Sequence, residues 1–247
     1  MRKIVFLGNS LTAKRKNSTT PSWAEKFAAS VNLDHQNFAV AAGNNRTQAL
    51  LLQNYLLSDN YHPDDIFFWE INATNRKNTI VNSSICIDTE LSLPIKNYLN
   101  NKNTDPNDYY FIELPNVFDP DNNLKMLLCH FPTNTIEHKL IDPYGFQSID
   151  EVVLQETVFY INLLSQLGHN VIFTLGWEGC VAEKHKSTLL RLLNKERIKY
   201  IENDMLGWCV KQNIPLEDDM HPTQESTLRW ARVHLTPLVQ EIIKEDK

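Results

Sequence analysis

No run of the 247-residue chain reaches the roughly 18 consecutive apolar residues that a membrane-spanning helix needs, so no membrane span is expected. Basic excess is also missing. Lys and Arg number 24 against 30 Asp and Glu, a formal net charge of -6, which argues against a general nucleic-acid binder. The one basic run, Lys14-Arg15-Lys16, reads as a solvated loop. None of the four cysteines (Cys86, Cys129, Cys180, Cys209) stands in CxxC spacing, so neither a zinc site nor a thioredoxin-type redox pair is suggested. His130 and His138 lack a third partner at ligand spacing, and no metal is expected. The first apolar run stops at Gly8, short of a signal-peptide core. The start therefore reads as a first strand and the protein as cytoplasmic. Internal repeats and low-complexity tails are absent.

What is there is a rhythm. Apolar runs at Lys3 to Leu7, Phe38 to Ala42, Ile66 to Trp69 and Asn170 to Leu175 alternate with helical patterns. One such pattern opens at Pro21 or Ser22 and carries Trp23, Phe27, Ala28 and Val31. The next carries Leu50, Leu51, Tyr55 and Leu56, and a third runs from about Ile149 to Leu167. A short strand begins at Tyr200-Ile201, and a last helix carries Leu228 to Ile242, with Pro237 expected to kink or restart it. The strands are continuous rather than alternating, as in a parallel sheet covered on both faces. The fold class expected is α/β: a three-layer α/β/α, flavodoxin-like sheet of about five parallel strands. Residues 76–148 break the rhythm with a long insertion after strand three. They read as a hairpin or lid subdomain inserted into a single domain spanning 1–247.

Ligands in such sheets bind at the C-terminal ends of the strands. The polar residues falling there are Ser10 after strand one, Gly43 and Asn44 after strand two and Asn72 after strand three. Asp218 and His221 stand in the loop before the last helix. The set has a chemical logic. A serine nucleophile needs a base, usually histidine, and the base needs a carboxylate to fix its tautomer. A tetrahedral intermediate needs donors, which a backbone N–H and an asparagine amide can supply. Asn44, Arg46, Glu70 and Trp177 lie close enough in the pattern to be candidate substrate contacts. A Trp at that position serves equally well as packing.

Four short blocks in order make the chain resemble the SGNH hydrolases, the GDSL esterase superfamily. They are Gly8-Asn9-Ser10-Leu11, Gly43 within Ala41-Ala42-Gly43-Asn44, Asn72 within Glu70-Ile71-Asn72-Ala73, and Asp218-Asp219-Met220-His221 followed by Pro222. The resemblance implies Ser10 as nucleophile, His221 as general base and Asp218 as its orienter. It implies an oxyanion hole from the Ser10 and Gly43 N–H groups and the Asn72 amide. The chain departs from the family pattern at Asn9 (Asp in the family), Glu70 (Gly) and Ala73 (Asp). A carboxylate at position 70 would oppose a developing oxyanion unless it points away.

The function implied is serine-dependent acyl-ester transfer, on a small-molecule or carbohydrate ester. With water as acceptor the protein is an esterase or deacetylase of an O-acylated carbohydrate, needing no cofactor. With a sugar hydroxyl as acceptor it is an O-acetyltransferase of a capsule-type polysaccharide, drawing on acetyl-CoA. A non-catalytic carbohydrate-binding protein on the same fold is the third reading. A nucleotide-binding protein is disfavoured, because residues 9–16 lack the second glycine of a phosphate loop.

Overall fold

The computed structural model describes residues 2–13, 21–40, 45–72, 77–81, 111–114, 124–129, 150–217 and 221–245. The chain divides into two compact units, Met1–Thr74 with Val153–Lys247, and Asn75–Val152.

The first unit is built on β1 (Lys3–Leu7), β2 (Asp34–Asn37), β3 (Ile66–Ile71), β7 (Asn170–Leu175) and β8 (Ile198–Ile201). Among the described residues these strands form one sheet in the order β2-β1-β3-β7-β8, and every adjacent pair is parallel. Successive side chains of a strand point to opposite faces, and here both faces are buried. Val5, Leu7, Phe67, Trp69, Ile71, Val171, Phe173 and Leu175 face one apolar cluster. It is completed by α2 (Asn45–Leu56), α3 (Asp150–Gln166) and α4 (Glu183–Leu193). Ile4, Phe6, Ile66, Phe68 and Ile172 face the other, against α1 (Trp23–Ser30), α5 (Met205–Lys211) and α6 (Gln224–Glu245). The result is the three-layer α/β/α arrangement read from the sequence.

Three local expectations need correction. β2 is Asp34–Asn37, ahead of the apolar run at 38–42. It is a half-exposed edge strand, so it has no need of apolar residues on both faces. Phe38 and Val40 continue its ladder by donating to the carbonyls of Phe6 and Gly8, at 2.9 and 3.1 Å. In α2 the buried face is Ala49, Leu52 and Tyr55 with the polar Asn45, Thr47 and Gln48, while Leu50 and Leu51 are half-buried. The helix thus turns its polar first two turns inward. Of the kink or restart expected at Pro237, the restart does not occur: α6 runs through it with Leu235 and Val239 buried on either side. The start of α1 follows expectation, with Ser22 and Glu25 forming a reciprocal capping box.

The end of the sheet where the strands begin is tied by a buried polar network. The Asp65 carboxylate accepts from the Lys3 amide (2.8 Å), the Tyr55 hydroxyl (2.6 Å) and the His62 amide (3.0 Å). His169 Nδ1 lies 3.1 Å from the Asp65 carbonyl and Nε2 lies 2.9 Å from the Tyr61 hydroxyl. Burial, and then Asp65, push the Tyr55 phenol well above its ordinary pKa, so it stays a donor. Burial pushes the His169 pKa down, which favours the neutral ring.

In the second unit β4 (Lys77–Val81), β5 (Phe111–Leu114) and β6 (Leu124–Cys129) pair antiparallel in the order β4-β6-β5. The turn expected at 119–123 lies outside the described residues.

Candidate active site

Ser10 lies in a turn that leaves β1 at Gly8, and almost every backbone group of that turn is held. The Gly8 amide donates to Gln48 Oε1 of α2 at 2.9 Å. The Asn9 amide donates to Glu70 Oε2 of β3 at 3.1 Å. The Leu11 amide donates to Asn9 Oδ1 at 2.9 Å, the local Asx turn to which asparagine is suited. The amides of Thr12 and Ala13 both donate to the Asn9 carbonyl, at 3.0 and 2.7 Å. From outside the turn, Trp23 Nε1 donates to the Leu11 carbonyl (2.8 Å) and Asn37 Nδ2 to the Thr12 carbonyl (3.1 Å).

From Gly8 to Ala13, the Ser10 amide is the one that donates to no described group. Its direction follows from the peptide plane. In a trans peptide the N–H points opposite to the C=O of the preceding residue. The Asn9 carbonyl is turned inward onto Thr12 and Ala13, so the Ser10 N–H is turned outward.

The partner of the serine is histidine. Ser10 Oγ lies 2.8 Å from His221 Nε2, although 211 positions separate the two. His221 reaches it from a pinched loop, in which Leu216 and Pro222 form an antiparallel bridge and the Glu217 amide donates to the His221 carbonyl at 2.8 Å. Asp218 stands at the tip of that loop in sequence and, like Gly43 and Asn44, lies outside the described residues. α6 begins directly after the loop, its first turn capped by Thr223 Oγ1, which accepts from the Ser226 amide at 3.0 Å. Trp23 spans both parts of the site. Its backbone amide donates to Gln224 Oε1 (2.8 Å) while its indole holds Leu11.

Asn72, the first residue after β3, is fully buried. Its backbone is clamped by α2: its amide donates to Asn45 Oδ1 (2.8 Å) and its carbonyl accepts from Asn45 Nδ2 (3.0 Å). Its side-chain amide makes no hydrogen bond among the described residues. A buried polar group in that state costs free energy unless something uses it.

Glu70 is fully buried, two positions along β3 from Phe68 and on the same face. Oε2 accepts from the Asn9 amide and, at 2.7 Å, from the Thr12 hydroxyl. Its carboxylate therefore points beneath the serine turn, where the sequence had left open a substrate contact or an opposing charge. Two glycines make room for it. A Cβ on Gly8 would meet Glu70 Oε2 at 2.6 Å, and one on Gly176 would meet Oε1 at 2.7 Å.

The remaining candidates are placed differently. Arg46 is half-buried and its guanidinium grips Glu156 of α3, with Nε to Oε2 at 3.0 Å. Trp177, partly buried, packs on the apolar cluster beneath α2 to α4 and opens a single 3-10 turn, Glu178–Cys180. Cys180, buried behind it, gives its thiol to the Ile71 carbonyl at 3.4 Å. Burial above all pushes that thiol up to about 11, so it offers no thiolate to compete with the serine. Among the described residues no group of His, Cys, Asp and Glu side chains could hold a metal ion, and no helix is long and apolar enough to cross a membrane.

The chain is similar in structure to a member of the lipolytic G-D-S-L family from Veillonella parvula, at 13% identity over 92% of each chain and a TM-score of 0.47. It is also similar to the protein YxiM of Bacillus subtilis, at 11% identity over 98% of this chain and 57% of that one, again with a TM-score of 0.47. This chain thus spans a little over half the length of the Bacillus protein. No family model and no curated protein matches the sequence.

Three residues that matter to the geometry were not singled out from the sequence: Gln48, Asn45 and Thr12. Each acts by binding backbone or a side chain on a distant element, which leaves no periodic mark. Asn45 and Gln48 lie on the face of α2 that the structure buries, which differs from the Leu50, Leu51, Tyr55 and Leu56 pattern read from the sequence.

Proposed function

We propose that the protein is a serine-dependent esterase. The observation that carries the reading is the 2.8 Å contact between Ser10 Oγ and His221 Nε2, the nucleophile–base geometry that acyl transfer requires. In the first step Ser10 Oγ attacks the ester carbonyl carbon while His221 Nε2 takes the hydroxyl proton. The negative charge passes to the carbonyl oxygen, where the outward Ser10 N–H, the Asn72 amide and the Gly43 N–H are proposed as donors. The carbonyl re-forms, the C–O bond to the alcohol breaks, and His221 returns the proton to the leaving alcohol. Water then attacks the acyl-serine by the same route and releases the acid. Asp218 is proposed to accept from His221 Nδ1–H, which keeps Nε2 free of its proton.

The acyl group is proposed to be carried by a carbohydrate. The chain enters the inserted unit a few residues after Asn72, and Trp177 follows β7 at the same sheet edge. A long insertion in the chain, and the aromatic Trp177 after β7, suit a bulky polar substrate better than a free lipid.

A fluorophosphonate probe tests the reading, since it forms a phosphorus–oxygen bond to an activated serine and expels fluoride. One equivalent should attach per chain at Ser10, and both Ser10→Ala and His221→Ala should abolish attachment. No labelling, or labelling that survives either substitution, overturns the assignment.

A further inference from the structure

We propose that Glu70 is a positioning residue for Ser10, acting through Asn9 and Thr12; the proposal rests on the serine-esterase reading. One carboxylate oxygen receives both the Asn9 amide and the Thr12 hydroxyl, groups that flank Ser10 on either side along the turn. Between them lies the peptide whose carbonyl is fixed by Thr12 and Ala13 and whose N–H is therefore aimed outward. Holding the two flanks to one buried point fixes the direction of the Ser10 N–H and of its Cα–Cβ bond. Both must be set in advance if the hydroxyl is to meet His221 while the N–H meets the oxyanion.

The surroundings are built for this carboxylate. Gly8 and Gly176 stand where any side chain would displace it, and the residue itself is sealed from solvent. Glu70 touches no reacting atom; its effect passes through the turn.

The test compares the rate constant of fluorophosphonate labelling with its final amplitude, below the melting temperatures of all variants. Thr12→Val removes one donor without changing shape and should slow labelling about tenfold. Its amplitude should remain one label per chain, which a partly unfolded population would not give. Thr12→Ser keeps the hydroxyl and should return the rate to within about threefold of wild type. Glu70→Gln should also slow labelling about tenfold. The double variant Thr12→Val/Glu70→Gln should be no slower than the worse single variant, because both act on one contact. Thr12→Val labelling at the wild-type rate, or the two effects multiplying in the double variant, overturns the positioning role while leaving the esterase reading intact. Failure of the wild type itself to label overturns both. Should Glu70→Gln not yield folded protein, the contrast of Thr12→Val with Thr12→Ser reads the same contact alone.

Discussion

At the end of the sheet where the strands begin, Asp65 is buried and each polar group around it has a partner. The Lys3 and His62 amides and the Tyr55 hydroxyl reach its carboxylate, and Tyr61 and the Asp65 carbonyl take the two nitrogens of His169. At the end where the strands finish, Asn9, Gln48 and Asn72 are equally buried. Yet Asn9 Nδ2, Gln48 Nε2 and both polar atoms of the Asn72 side chain bind nothing among the described residues. Among the described residues the two ends differ in how far their buried polar groups are satisfied. A completed polar network contributes rigidity. Beside the serine that faces a histidine, three buried side-chain amide nitrogens donate to no described group.

The contrast can be broken from either end. Asn72→Ala should act on chemistry alone. Loss of one oxyanion donor costs about 100- to 1000-fold in rate, so ester turnover should fall by that order while the melting midpoint hardly moves. A drop in stability with turnover preserved would make Asn72 an ordinary buried residue. Asp65→Ala should do the reverse. It strands the Lys3 and His62 amides and leaves the Tyr55 hydroxyl only the Asn60 carbonyl at 3.2 Å, and the cost to stability should be about 2–4 kcal/mol in denaturant unfolding. The labelling rate constant of Ser10 in the folded fraction should stay at wild type. A matching loss of labelling would mean that the two ends are coupled.

The smallest effect concerns pH. Burial lowers the pKa of His169 in the folded state, whereas in the unfolded chain it is about 6.5. The unfolded state therefore binds a proton more readily, and the contribution of His169 is complete above about pH 6.5 and is lost as pH falls through the folded pKa. The wild type should lose stability on acidification more steeply than His169→Gln. His234, also lowered by burial, leaves part of that slope in the variant. Equal slopes would show that His169 does not titrate in this way.

How much of this was legible in the sequence depended on how many faces of an element are buried. β1, β3 and β7 lie inside the sheet and announce themselves as unbroken apolar runs, and the C-terminal ends of β1 and β3 correctly located Ser10 and Asn72. β2 lies at an edge, and its Asp34-His35-Gln36-Asn37 sequence carries no such mark. The Ser10–His221 pair was legible because its residue types have a shared chemistry. The orientation of Glu70 was not, since residue type does not say which way a carboxylate turns. Strand alternation from Phe68 to Glu70, with glycines at positions 8 and 176, held the clue.

One residue decides how freely this chain can vary in length. Trp23 holds the serine turn by its indole and, by its backbone, the start of the helix that follows the histidine loop. Ser10 and His221 are thus gauged against each other by a contact close to the N-terminus. Everything between Asn75 and Val152 lies outside that gauge. The length of chain between β3 and α3 therefore does not enter the spacing of Ser10 and His221 set through Trp23.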